Sequence, residues 1–489
     1  MKLSTLTVAS LFALAAPLSA VADRDEPADI GKLFTGDDRV QQANLENMSR
    51  DEIRLAGMRM FTFPFKKEDG FGDGDDEFPS GKQGERGNLQ GNGTFQRIGG
   101  LDAQNCLECH GIVSMRTTPM RFGIGGVGGV NSTVLGAGGN TFVDLDLQGR
   151  SGGVKQSNID GRVINPPFIF GAGGVELLAN EMTEDLQAIV AQAKAADGTY
   201  DLVTKGISFG SITSSGGVID ASNAEGTFNL DPTSEEFLVV APFGRKGSEK
   251  STRTFDIGAM SFHFGMRVDN GLDHDNDGVV NEVTTGEMSA LSVFVGTAQT
   301  PFAKRPNREA RRGRQLMDDI GCTECHVPSM ETRSKTLGFR FPEIAQEPSA
   351  NVHTTVDLTK KPMSFKKNNN GGITVNLFAD LKRHYMGPSL EEFNGDGMFT
   401  TMRLWGVADT APYLHDGRAL TITEAILMHG ADAESEAHGA VNNYKNASQA
   451  DKDAVLAFLD TLRSPNGTFK KLDRLAKKLT SKGKGRRHH

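Results

Sequence analysis

The chain has 489 residues, 53 Lys and Arg against 62 Asp and Glu, a formal net charge of -9 and a pI near 5.7. That length suits two or three domains with substantial cores, and the acidic balance argues against a nucleic-acid partner, whose phosphates call for clustered Lys and Arg. Only four cysteines are present; in an exported chain paired cysteines would ordinarily suggest a disulfide framework, but their placement here says otherwise.

The N-terminus reads "MKLSTLTVASLFALAAPLSAVADRDEP": one lysine, an apolar run from Leu3 to Ala16, then small residues ending in Ala20-Val21-Ala22. This predicts a secretory signal peptide over 1–22. The run is shorter than the roughly 20 residues that cross a bilayer, and no other segment is long and apolar enough. A periplasmic or secreted protein that does not span the membrane is therefore expected. An acidic linker (23–50) leads into a first unit over 51–300, which opens on a helical pattern, "IRLAGMRMFTFPF" (53–65), and continues through "NCLECH" (105–110). Gly-rich loops such as "RFGIGGVGGVNSTVLGAGG" (121–139) swell it. Gly123 to Gly128 match G-x-G-x-x-G, but no β-run precedes them and no helical pattern follows, so no nucleotide site is expected. Near the end of this unit "DHDNDGVVNEVTTGE" (273–287) sets Asp273, Asp275 and Asp277 at positions 1, 3 and 5 of a calcium loop, with Gly278 at 6 and Val279 at 7. Position 12 is Thr284, which leaves Glu282 or Glu287 to close the coordination; an acidic turn is the plain alternative.

"QTPFAKRPN" (299–307) breaks the pattern with two prolines and marks the boundary to a second unit over 308–462. "REARRGRQLMDDI" (308–320) carries Leu316, Met317 and Ile320 at helical spacing, Gly321 ends the helix, and "GCTECH" (321–326) follows at once. "TTMRLWG" (400–406) echoes "INPPFIFG" (164–171) as a faint internal repeat. Thr421-x-x-Glu424 forms a capping box, which starts a helix with His429 two turns in and Gly430 ready to end it. Residues 463–489 make a basic tail, either a solvated end or a docking arm for an anionic surface.

The two hexamers use every cysteine, and C-x-x-C-H is expected by chance on the order of 10⁻³ times in such a chain. A redox dithiol does not require the trailing histidine, and a zinc site built from both pairs leaves two histidines unexplained. Covalent haem accounts for every position. Each thiol adds to one haem vinyl group, at Cys106 and Cys109 and again at Cys322 and Cys325, while His110 and His326 ligate iron from below. The helix running into "GCTECH" resembles the first helix of a cytochrome c domain. The expected fold is mainly α, with two cytochrome c-like domains, one covalent haem in each, and long loop insertions in the N-terminal one.

Both C-x-x-C-H motifs, "DLKRHYMGP" (380–388), "APYLHDGRALTITEAI" (411–426) and "INPPFIFGAGGVE" (164–176) together resemble the di-haem cytochrome c peroxidase and MauG superfamily, particularly its di-haem oxidoreductase branch. The resemblance implies that the helix after the H-D-G turn supplies the C-terminal haem's sixth ligand, here His429, with Met428 as the fallback. For the N-terminal haem, "IGAMSFHFGMRV" (257–268) offers His263, Met260 or Met266, or no ligand at all. Members of the superfamily cleave peroxide with a distal glutamate; Glu176 in "GGVELLANEM" is the matching candidate, with Glu181 behind it, and a helix-terminal role is its alternative. The superfamily also binds calcium between its domains. Trp405, the only tryptophan, is expected in the core, with His415 and Asp416 fixing the turn before the ligand helix. The implied activity is reduction of a small oxidant such as hydrogen peroxide, with electrons from a small donor protein such as a cytochrome c or cupredoxin. A non-catalytic di-haem electron carrier and an oxygenase or protein-modifying oxidase are the alternatives.

Overall fold

A computed structural model describes residues 39–63, 65, 105–106, 110, 166–260, 264, 266–268, 282–390, 396–411, 413–415 and 417–465. Eight α-helices lie among them: α1 (Arg50–Thr62), α2 (Ala172–Ala195), α3 (Thr252–Ala259), α4 (Thr285–Gly296), α5 (Arg308–Ile320), α6 (Ile422–Met428), α7 (His438–Asn446) and α8 (Gln449–Leu459). Their starts are written in the sequence. Ser49 with Glu52, Ser251 with Thr254, Thr284 with Glu287 and Thr421 with Glu424 each close a reciprocal capping box, which satisfies otherwise orphaned amides of the first turn. Asn307 caps α5, and Gly321 ends it.

The helices are not the whole architecture. The described residues are 38% helical and 18% strand, so the mainly α expectation is corrected. An antiparallel meander, β1 (Gly198–Thr204), β2 (Ile207–Ser215) and β3 (Val218–Asp220), packs beside α2. Its physical basis was visible: Leu202, Phe209 and Ile212 are fully buried while neighbouring side chains face outward, and Lys205-Gly206 turns the chain with both φ values positive. A hairpin of β4 (Thr336–Arg340) on β5 (Val352–Asp357) and several two- or three-residue ladders fill out the second half. One of these pairs Phe302–Ala303 with Leu462–Arg463, so the intervening chain begins and ends at the same place.

Two helix crossings organise the packing. α1 crosses α4 where Gly57 lies against the backbone of Ala290, a Cβ there coming within 2.7 Å of Phe294 Cβ. α5 crosses α8 in the same way: Gly313 lies against the backbone of Ala454, and a Cβ would come within 2.9 Å of Val455 N. In each case the first helix of the pair is the one that precedes a C-x-x-C-H motif. A larger core joins α1, α2 and α4 to residues between Met330 and Leu381 and to Trp405; a smaller one gathers Ala310, Met317, Phe378, Tyr444, Val455 and Phe458.

The faint repeat is a packing relation. Gly171 (φ 74°, ψ 2°) and Gly406 (φ 70°, ψ 5°) share one left-handed conformation, each just before a helical turn. A Cβ on Gly171 would overlap the ring of Trp405, and one on Gly406 would come within 2.8 Å of Phe170 Cζ. The two aromatic-glycine pairs therefore interlock, each ring lying over the other's glycine, where no side chain stands in the way.

Candidate haem sites

In the second half the C-x-x-C-H motif forms a short 3-10 turn directly after α5. Cys322 and Cys325 are both free thiols, and burial pushes the Cys322 thiol up to about 11. His326 Nδ1 donates to the Phe378 carbonyl at 3.0 Å, which fixes the tautomer and leaves Nε2 as the basic nitrogen. Burial, with the His429 imidazole nearby, lowers the His326 pKa to about 4, so the ring is neutral and able to ligate a metal at neutral pH. His429, at the C-terminal end of α6, makes the equivalent arrangement within its own helix: Nδ1 donates to Ala425 O at 2.7 Å, and burial lowers its pKa.

The two rings face each other with centroids 6.4 Å apart. A metal–nitrogen bond of about 2 Å, plus about 1.1 Å from ring nitrogen to ring centre, sets two opposed imidazoles on one metal roughly 6.3 Å apart. The separation fits an iron between them and is too wide for direct contact. Half-buried Leu404, Val407, Ile422 and Ile426 supply an apolar wall beside Cys322, as a porphyrin edge requires. The residues present fit a haem.

His384 stands against Cys325 and was not singled out in the sequence. Its Nε2 bonds Asp380 at 2.7 Å, its Nδ1 bonds Glu436 at 2.7 Å, and the same nitrogen lies 3.9 Å from Cys325 Sγ. Burial opposes its charge, but the bonds to Asp380, Cys325 and Glu436 prevail and push it up to about 12. An imidazolium held by two carboxylates thus sits beside Cys325. Cys325, Asp380 and His384 present atoms close enough for a metal, but both nitrogens of this imidazole are already committed to carboxylates.

In the first half, His110 Nδ1 donates to Pro167 O at 3.0 Å, a backbone-carbonyl bond of the same kind as that of His326. The acceptor comes from "INPPFIFG", whereas Phe378 in the second half lies well before the matching repeat copy. Phe61 and Phe255 flank the ring at 6.3 and 6.5 Å. His110 lines a cleft partly open to solvent, with Phe243, Thr252, Phe255, Met402 and Arg403. Cys106 is half-buried; Cys109 lies outside the described residues.

Glu176 is buried one layer behind this cleft. Its Oε2 accepts from Thr252 N at 3.0 Å and Thr252 Oγ1 at 2.9 Å, at the start of α3, while Oε1 lies 3.6 Å from Arg340. Burial raises its pKa, against the opposing pull of Arg340 and the Thr252 bonds. Glu181 is committed elsewhere: it accepts from Lys205 Nζ at 2.6 Å and from the amides of Arg333 and Ser334. One turn along α3, Asp256 is buried with Oδ2 unpartnered; burial and the nearby Glu176 raise its pKa well above the usual carboxylate range.

Other expected ligands divide. Met260 and Met266 are fully buried in the larger core. His263 lies outside the described residues, as do Asp273, Asp275, Asp277 and Asp416, the first 38 residues and the tail beyond 465. Glu287 is already used, bonding Arg39 at 2.7 Å and capping α4 behind Thr284. Glu282 Oε2 accepts from Arg267 N at 2.8 Å beside a Val268–Val283 bridge, which ties together the two ends of the acidic segment. No described helix is long and apolar enough to cross a membrane.

The segment that carries the second site is similar to a known family. Residues 261–462 match the family model described as "Di-haem oxidoreductase, putative peroxidase". The resemblance read from the sequence holds over that segment, which contains the second C-x-x-C-H motif, His384, Trp405 and His429; the first motif and Glu176 precede it. No curated protein matches the chain. Among solved structures, hydrazine synthase of Kuenenia stuttgartiensis, determined under 20 bar xenon, aligns at 14% identity and a TM-score of 0.24. The alignment covers 43% of this chain and 61% of that one, so the chain spans less than two thirds of this neighbour.

Proposed function

We propose that the chain is an exported c-type di-haem oxidoreductase. On this reading it holds one haem covalently at Cys106 and Cys109 and a second at Cys322 and Cys325. Peroxide is reduced at the N-terminal site with electrons relayed from a small donor protein through the C-terminal one. Haem, when bound, supplies one-electron iron chemistry and, where an axial position is open, a place for an oxidant.

The observation that carries this reading is a continuous line of contacts between the two proximal histidines. His326 Nδ1 bonds Phe378 O, and two residues back Asn376 O accepts from Trp405 Nε1. The Trp405 ring lies on Gly171, and four residues back Pro167 O accepts from His110 Nδ1. Trp405 is core, 5% exposed, and its ring also reaches across to the first half at Gly171. His326 and His429 each bond a backbone carbonyl through Nδ1, and their ring centres lie 6.4 Å apart. In the N-terminal cleft, Thr252 Oγ1 donates to Glu176 and also lies 2.8 Å from Ser292 Oγ. A proton stored on buried Glu176 can reach the cleft wall through that hydroxyl. The acidic segment with Asp273, Asp275 and Asp277 is retained as the calcium site of this reading.

One observation favours the electron-carrier alternative. Glu176 bonds the first amide of α3 and stands behind Thr252, the place a helix-stabilising carboxylate would take. Electron paramagnetic resonance of the holo-protein, oxidised and then reduced by one electron, separates the two. A high-spin ferric signal that appears on half-reduction and disappears with peroxide supports the oxidoreductase; two low-spin signals that never open assign an electron carrier.

A further inference from the structure

Arg403, in the N-terminal cleft, is a cation with no counter-charge among the described residues. Arg403 is 5% exposed. Its guanidinium donates to two backbone carbonyls, Pro242 O at 3.3 Å and Phe168 O at 3.5 Å, and its Cζ sits 6.0 Å from the Phe243 ring centre. Nε has no partner, and no carboxylate among the described residues reaches ion-pair distance. Buried Arg340, Arg383 and Arg463, by contrast, each have an acidic partner: Glu343, Asp396 and Asp409. An isolated buried cation is costly unless something charged completes it. Burial alone pulls this guanidinium down to about 10.

We propose that Arg403 is the anion anchor of the N-terminal haem pocket, its guanidinium taking a propionate carboxylate of the haem. The inference rests on reading this cleft as a haem site. Three features point to a carboxylate brought in by an apolar group. Arg403 lines the same cleft as the proximal His110. The neighbouring walls are aromatic and aliphatic, Phe243, Phe255 and Met402. The free edge is that of a planar fork suited to a carboxylate. Arg403 belongs to the segment just before Trp405, so the second half of the chain would hold the haem attached to the first.

Holo-protein is prepared as wild type, R403M and R403K. Mass analysis of the proteolytic peptide bearing Cys106 comes first: a wild-type peptide without haem overturns the reading of the cleft itself. With haem present, resonance Raman spectra of the propionate bending modes and a redox titration of the N-terminal haem test Arg403. R403M is expected to shift the propionate mode and move the reduction equilibrium roughly tenfold toward ferric iron, because one nearby positive charge is lost. R403K should keep most of the potential yet still shift the mode. Should R403M fail to carry haem, R403K against wild type decides. Unchanged propionate modes and potential in the variants overturn the proposal. So does a formate-dependent potential shift in wild type that R403M abolishes without moving the mode, which would assign the cation to a free anion.

Discussion

Replacing Gly171 by alanine tests the interlock between the halves. At φ +74° a residue with a Cβ carries about 1–2 kcal/mol of backbone strain. The new methyl would also overlap Trp405 Cζ3 and lie 2.9 Å from Cε3. Trp405 has little room to retreat, being buried, bonded through Nε1 to Asn376 O and packed near Phe365. Overpacking of this kind costs about 1–3 kcal/mol, so Gly171→Ala should lose about 2–5 kcal/mol in total. Gly206→Ala is the control: its φ is +81° with nothing within 4 Å of the added Cβ, so it keeps the strain and omits the clash. Thermal unfolding of both holo-variants, followed by circular dichroism and by the fluorescence of the single tryptophan, measures the difference. Pulse reduction then reports the rate of transfer between haems, which should fall in Gly171→Ala alone. Equal stability losses in the two variants, with unchanged transfer, would refute the interlock and remove Trp405 from the proposed route.

His429→Ala should convert the C-terminal haem from low to high spin, whereas His429→Met should keep it low-spin at a higher potential, both visible by electron paramagnetic resonance and redox titration; an unchanged spectrum in His429→Ala would discard the ligand. Glu176→Gln, which keeps shape and both Thr252 contacts in reach, should lower peroxide turnover about 10²-fold or more if the group transfers protons, with a much smaller change in melting; a stability loss without a turnover loss assigns it to α3. Asp256, facing Glu176, Arg253 and Glu343, has its folded pKa raised well above 3.8. Above the unfolded pKa the native state must therefore hold a proton that the unfolded chain has released, and stability falls as pH rises. Asp256→Asn should accordingly out-melt wild type at pH 8 by more than at pH 4, and a pH-independent gap would contradict the reading.

Some of this was legible because the chemistry is local. C-x-x-C-H needs only five consecutive residues, and the box that starts α6 needs four, so the haem motifs and the placement of His429 could be read directly. The internal repeat was legible as a weak likeness; its meaning, two rings each lying over the other's glycine, depends on a contact between residues 171 and 405 that no local pattern encodes. The strands failed for a different reason. Alternating burial in 198–220 and the Lys205-Gly206 turn were present in the sequence, but a helical expectation from the motifs absorbed them into loops. His384, Asp256 and Arg403 had no signal at all. Each is a single polar residue whose importance lies in what surrounds it: two carboxylates, a missing hydrogen-bond partner, a missing counter-ion.

The two histidine sites are surrounded differently, and the difference bears on which reaction the chain can run. Beside His326 stands His429, with ring centres 6.4 Å apart, so on the proposed reading that site is closed to an oxidant while His429 holds its place. Beside His110 there is a cleft with a hydroxyl, Thr252, on its wall, a buried acid behind that hydroxyl and a second acid, Asp256, one turn further on. An electron carrier has no use for protons stored in an apolar interior, where each uncompensated group costs stability. Reduction of a peroxide does, because every electron pair delivered to oxygen must be met by protons at the same place. On the proposed reading the N-terminal haem should therefore take up protons as it is reduced, and its midpoint potential should fall as pH rises through the range where Glu176 titrates. The C-terminal potential should stay flat there. Swapping Glu176 for glutamine should flatten the first curve and leave the second alone; if both curves are flat already in the wild type, the acids serve α3 and the chain carries electrons only.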